Sequence, residues 1–511
     1  MRTFRRARSA VMCLALLAPL GALAQPRFTI EFDAQQQPGP YSGRVYVAML
    51  QRSSASGPEP RQLITNWFRP PQVISLDVTD VPPGGSITID AATPGLRAFP
   101  RPLSSLTDGT WAVQGIARRS LDHPVPGQGA GDLHSIVALA DAAKPEPLAL
   151  KLSNVVAPRP FAETDRVKLV EIVSPLLSEF HKREVKVRAS VVLPKAWSDQ
   201  PDRTWPALYY INGFGGDHRS AGRIGQQGGP ADDVLQVVPD PTCAWGHSVF
   251  ADSATNGPWG RVLVEELIPA VETKYRGPAA PGGGGGERRY VWGISSGGWS
   301  SLWLQVTYPD AFSGCWSHVP DPVDFRDFQQ INLYRDGENM YRDAGGQRRP
   351  LARMGDRVSL YYDDFVAMED VLGHGGQIAS FEAVFSPREP DGSPRRLFDR
   401  ATGRIDPQTA KAWERYDIRL VLERNWAALA PRLKGKIHVI AGEKDTFYLQ
   451  GAAALLQQAL SALGSDAQVT VVPGMPHTIH QPSARAMFEA IARRETERAA
   501  PPAPAAPAGA H

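Results

Sequence analysis

Cysteine is scarce. Three residues in a chain of 511 are too few for a disulfide-built scaffold or a cysteine-rich metal module. Cys13 lies in an N-terminal apolar run and is followed by Leu, unlike a lipid-modified residue just past a cleavage site. Cys243 and Cys315 remain, and an even pair admits either one bridge or two buried thiols. Net charge is also nearly absent: the formal value of +2 leaves no footprint for nucleic acid or an anionic membrane surface. No stretch reaches the ~18 apolar residues of a membrane span. With 42% hydrophobic residues and 47 Gly, the composition excludes wholesale disorder, and the length predicts more than one folding unit.

Arg2, Arg5, Arg6 and Arg8 precede an apolar run from Ala10 to Ala24 that ends in the small-x-small pattern Ala22-Leu23-Ala24. Basic start, short apolar core and small-residue end read as a secretory signal peptide over 1–24, so the chain is expected in the periplasm or outside the cell. The Arg5-Arg6 pair leaves twin-arginine export open. Removing four arginines and no acidic residue turns the net charge slightly negative.

From 25 to 160, short alternating runs such as Phe28-Thr-Ile-Glu-Phe32, Arg44-Val-Tyr-Val-Ala-Met49 and Ser86-Ile-Thr-Ile-Asp90 are separated by Gly, Pro and Ser clusters. This pattern predicts antiparallel strands in a small β-sandwich. Over 161–498, apolar strands alternate with helical patterns, which predicts an α/β domain with a mostly parallel sheet covered by helices on both faces. Residues 499–511 are mostly Ala and Pro and read as a disordered tail.

Gly293-Ile294-Ser295-Ser296-Gly297 fits G-x-S-x-G, directly after an apolar strand and before a helix. That context predicts a sharp turn presenting the Ser295 hydroxyl at the sheet's C-terminal edge as a nucleophile, with the first helical N–H groups aimed at a developing oxyanion. A serine nucleophile needs a base and an orienting carboxylate, in the order Ser, acid, His on this fold. Asp445 follows the strand Lys436-Ile-His-Val-Ile-Ala-Gly442, and His477 follows Gln468-Val-Thr-Val-Val472. His480 is the alternative base; Glu443, then Asp321 and Asp324, are alternative acids. The His477-x-x-His480 spacing suits a metal, but no third ligand is evident, so neither metal nor cofactor is expected. Asn212-Gly213-Phe214-Gly215-Gly216, after a third strand, offers the Phe214 N–H as an oxyanion donor beside that of Ser296.

On these residues, with Pro206-Ala-Leu-Tyr-Tyr-Ile-Asn-Gly-Phe-Gly-Gly216, Glu266-Leu-Ile-Pro269 and Tyr308-Pro-Asp-Ala-Phe312, the segment from Val167 to Ile491 resembles the putative-esterase branch of the α/β-hydrolases, which includes enterobactin esterases, esterase D, feruloyl esterases and mycolyltransferases. The preceding β-domain is similar to the enterobactin-esterase arrangement. The resemblance implies Ser295, Asp445 and His477 as a triad, Phe214 and Ser296 as oxyanion donors, and a small-molecule ester as substrate. Asn212 departs from the family's His-Gly-x-Gly. An insertion over 333–433 predicts a cap with nearly balanced charge and helices of its own, on the patterns Ser359 to Leu372 and Pro407 to Trp426, whose Tyr361, Tyr362, Phe365, Phe381, Phe385, Trp413 and Trp426 are candidates to wall an acyl site or to form the cap's own core. The competing readings are a serine peptidase of prolyl-oligopeptidase type and a non-catalytic envelope binding protein on the same fold.

Overall fold

The computed structural model describes residues 25–144, 146–224 and 229–499; the proposed leader over 1–24 and the tail beyond Ala499 lie outside the described residues. The N-terminal region forms two stacked sheets. In the smaller, Phe28–Phe32 lies between Ser86–Ile89 and Leu148–Leu152. Its alternation buries Phe28, Ile30 and Phe32 completely or nearly so. The larger sheet is ordered 154–155, 133–134, 110–117, 41–51, 72–81, 97–99, with antiparallel neighbours. The expectation of purely antiparallel strands is corrected at one place: Phe28–Phe32 pairs with Leu148–Leu152 in parallel, because the domain's first strand and one of its last run the same way in the smaller sheet. Val45, Val47 and Val113 face Phe28, Ile30 and Leu150 in the core between the sheets.

The outer face of the larger sheet is apolar as well, which explains the unbroken run Val45–Leu50. Tyr46, Ala48, Val73 and Ile116 share one continuous core with the following domain. That domain is an eight-stranded sheet: β1 (Val167–Val173), β2 (Lys186–Val192), β3 (Ala207–Ile211), β4 (Leu235–Pro239), β5 (Arg289–Ile294), β6 (Cys315–His318), β7 (Ile437–Gly442) and β8 (Gln468–Val472), ordered β1-β2-β4-β3-β5-β6-β7-β8. β2 is antiparallel to both neighbours; from β4 onward every pairing is parallel. β3 is buried at all five positions and β5 at all but the last, as both-face coverage by helices requires. This is the α/β-hydrolase fold, and the C-terminal ends of β5, β7 and β8 share one edge.

The segment 333–433 contains a hairpin, Pro350–Met354 with Arg357–Tyr361, and four helices, Tyr362–Leu372, Gln377–Phe385, Pro407–Trp413 and Ile418–Leu433. A helix starting at Ser359 is corrected to one starting at Tyr362, because Arg357–Tyr361 pairs back on the hairpin. The helical pattern of 407–426 divides at Asp417, whose carboxylate accepts the Leu420 N–H and caps a new helix. Phe381, Phe385 and Trp413 pack on Phe325, Phe328 and Trp299 and are at most 4% exposed. Phe381, Phe385 and Trp413 therefore build core and do not wall a substrate site. Cys243 and Cys315 are free and buried, so no bridge forms; burial pushes each thiol up to about 12.

Candidate active site

Ser295 sits between β5 and helix α1 (Ser296–Thr307) at φ 58° and ψ −125°, a sparsely populated conformation for a residue with a side chain. Close backbone approach fixes the turn. A Cβ on Gly293 would lie 2.2 Å from the Gly297 carbonyl oxygen, and one on Gly297 would lie 2.0 Å from that of Ile211. Only glycines let β5, α1 and β3 meet this closely. The Ser295 N–H donates to the His318 carbonyl at 3.0 Å, tying the elbow to the end of β6.

Asp445 and His477 meet because parallel pairing of β7 with β8 sets their following loops side by side. Asp445 is fully buried; its Oδ2 lies 2.8 Å from His477 Nδ1 and its Oδ1 accepts the Phe447 N–H at 2.8 Å. That bond assigns the Nδ1 proton and leaves Nε2 as the basic position. From the hairpin Pro350–Met354 with Arg357–Tyr361, Arg353 donates to the carbonyls of Asp445 at 2.9 Å and Glu443 at 3.1 Å, bracing the acid loop. The alternatives are engaged elsewhere. His480 Nδ1 pairs with Ser483 Oγ at 2.7 Å, Glu443 accepts the Gly474 N–H at 2.8 Å, and Asp324 is buried against Arg326 and Arg419.

Asp321 lies just past β6, three residues beyond its last, and does reach the site. Its Oδ1 is 3.4 Å from Ser295 Oγ, and its Oδ2 accepts from Ser296 Oγ at 2.5 Å and from Gln377 Nε2 at 3.3 Å. Burial pushes this carboxyl up to about 6, outweighing those hydrogen bonds and the nearby His477. Gln377, the first residue of helix α3 (Gln377–Phe385), also donates to Ser296 Oγ at 3.2 Å. The sequence carries no signal for Gln377, since only folding of the insertion brings it to the elbow.

The loop after β3 is held by a residue that sequence reasoning did not single out. His247 Nε2 donates to the Asn212 carbonyl at 2.9 Å, while its Nδ1 accepts the Val249 N–H at 2.9 Å. Burial lowers His247 to about 4, keeping it neutral in this role. The Asn212 side chain donates to the Asp217 carbonyl at 2.8 Å and Ser220 Oγ at 2.9 Å, which gives the departure from histidine a structural use. Among the described hydrogen bonds, the Phe214 and Ser296 N–H groups go to no protein acceptor. Phe447 packs edge-on against His477, with ring centroids 4.9 Å apart. Trp67, from the N-terminal domain, stands over both Phe214 and Phe447. The paired aromatics Trp67-Phe68 in a polar loop were the available signal for it.

Such an arrangement, a strained serine on the same sheet edge as a carboxylate-oriented imidazole and spare backbone donors, is suited to acyl transfer. The solved structures similar to this chain include a ferulic acid esterase (14% identity, 64% of this chain and 98% of that one, TM-score 0.39). They also include an S-formylglutathione hydrolase from Agrobacterium tumefaciens (15%, 65% and 94%, TM-score 0.37) and a fluorophosphonate-binding serine hydrolase from Staphylococcus aureus (14%, 64% and 97%, TM-score 0.38). No curated protein matches the sequence. No described helix is long and apolar enough to cross a membrane. The family model described as "Putative esterase" matches residues 178–500, most of the chain, and the protein belongs to that family of hydrolases.

Proposed function

We propose that the protein is an exported serine esterase acting on small-molecule carboxylic esters through Ser295, His477 and Asp445, by way of an acyl-enzyme. The observation that carries this reading is the His477–Asp445 pair at 2.8 Å on the same sheet edge as the strained Ser295. His477 Nε2 takes the Ser295 proton as Oγ attacks the ester carbonyl. The carbonyl oxygen becomes an oxyanion, which the Phe214 and Ser296 N–H groups receive. Collapse of the tetrahedral species breaks the ester C–O bond, and the imidazolium returns its proton to the leaving alcohol. Water, deprotonated by the same histidine, then cleaves the acyl-serine bond and restores Ser295. Asp445 holds the tautomer and compensates the imidazolium charge. In the resting site the Ser295 hydroxyl faces Asp321 Oδ1 at 3.4 Å, so substrate binding must redirect it toward His477.

The test compares p-nitrophenyl acetate with a p-nitroanilide of an acylated amino acid. The esterase reading predicts turnover of the ester, little of the anilide, and a loss of roughly 10³-fold or more in kcat for Ser295→Ala. Faster anilide cleavage selects the peptidase reading; absence of both selects the binding protein. Export is tested by N-terminal sequencing of protein from the cell exterior or periplasm, which should begin near Gln25.

A further inference from the structure

The N-terminal domain is docked on the insertion by side chains that complete a helix end. Helix α2 (Tyr362–Leu372) leaves its last carbonyls without intrahelical partners, as every helix does. Here the N-terminal domain supplies them: Arg44 donates to Asp370 O at 2.8 Å, Ser75 to Val371 O at 2.7 Å and Tyr46 to Leu372 O at 2.8 Å. The last two bonds are buried, so this contact is built like a protein interior and fixes one domain against the other.

Docking carries the loop after Pro60–Leu63 to the catalytic edge. Trp67 is half-buried there, 4.8 Å from Phe365 of α2, 5.8 Å from Phe214 and 6.0 Å from Phe447 between ring centroids. Phe214 bears one of the free N–H donors, and Phe447 rests on His477. The neighbouring Phe68 is 39% exposed. Both aromatics line a cleft of about 1420 Å³ walled by both domains, which meets the catalytic edge at Phe214 and Phe447 and has Arg188, Asp217 and His374 among its polar groups.

We infer that Trp67 is a substrate-binding residue supplied by the β-domain, and that the cleft takes esters combining a flat apolar ring system, laid against Trp67, with a more polar remainder. The inference rests on the esterase reading. Trp67 meets the oxyanion loop at the Phe214 ring and is one aromatic ring, Phe447, away from the base, so a flat group laid against it is ordered at the catalytic edge on either the acyl or the alcohol side of the ester. Aromatic pairing of this kind adds specificity beyond area burial. The β-domain is then part of the active site and not a separate interaction module.

The experiment measures kcat and KM for wild type, Trp67→Ala, Trp67→Leu and Trp67→Phe on ethyl acetate, 1-naphthyl acetate and methyl 2-naphthoate. Ethyl acetate has no ring, and the other two carry it on the alcohol and acyl sides. The expected result is a fall of about tenfold or more in the kcat/KM of at least one naphthyl ester relative to ethyl acetate, mainly through KM, with most of it restored by Phe. Trp67→Leu keeps apolar bulk against Phe365 and Phe447 while removing the flat ring, so it must reproduce the loss even if the alanine variant folds poorly. Equal effects on all three esters, no effect, or a wild type that hydrolyses ethyl acetate but neither naphthyl ester overturns the inference and leaves the esterase reading standing. A wild type inert toward every ester overturns both.

Discussion

Ser295 Oγ lies 3.4 Å from Oδ1 of Asp321, a carboxyl 6% exposed that burial pushes up to about 6 from an ordinary 3.8. The proton is held more tightly in the folded chain than in the unfolded one. Stability therefore falls as pH rises from about 4 to 6 and stays lower above that, by on the order of 3 kcal/mol for this shift. Asp321→Asn, which cannot ionise and keeps an acceptor for Ser296, should raise the denaturation midpoint at pH 8 relative to wild type and change it little at pH 4. A variant equally or less stable at pH 8 means that the carboxylate is better compensated than its burial implies.

His477→Gln should lower ester turnover by roughly 10³-fold or more, as removal of a triad member does. His480→Gln, which removes a partner of Ser483 at the start of the last helix, should retain most of it. Steady-state rates on one activated ester decide the matter; an inactive His480 variant with normal His477 activity would transfer the role.

Beneath the nucleophile strand, Arg289 makes two hydrogen bonds of 2.6 Å to Glu272, which is fully buried and also accepts from Tyr209 at 3.0 Å. Arg289→Ala leaves a carboxylate buried and uncompensated, a change that costs about 3–5 kcal/mol. Denaturant unfolding reads this directly. A loss under 1 kcal/mol would show that water or a neighbour replaces the arginine.

Gly297→Ala places a Cβ 2.0 Å from the Ile211 carbonyl oxygen and 2.5 Å from that of Asn212, both backbone atoms with no side chain to swing away. The expected outcome is loss of soluble, active protein; normal expression and turnover would mean that β3 and α1 separate more easily than their contact suggests.

What was legible in the sequence was what local chemistry dictates. Gly293 and Gly297 betray the elbow because no other residue fits there. Asp445 and His477 each follow an apolar strand, and a parallel sheet delivers such loops to one edge. What was hidden depends on partners distant in the chain. The parallel pairing of Phe28–Phe32 with Leu148–Leu152 has no local signature. Phe381, Phe385 and Trp413 read equally well as pocket or core until Trp299 is seen packed against Phe385. Trp67 and Gln377 become site residues only when the β-domain and the insertion dock, and His247 matters only through a carbonyl 35 residues away. Asp321 was visible as a carboxylate after β6, but its hydrogen bonds to the elbow serines were not.

The central claim is that Ser295 is the nucleophile. Wild-type protein is incubated with a fluorophosphonate and its intact mass recorded, followed by peptide mapping. The account predicts one adduct, located on Ser295, absent in Ser295→Ala and strongly slowed in His477→Gln. An unlabelled wild type, or an adduct that persists on another residue when Ser295 is replaced, would contradict it.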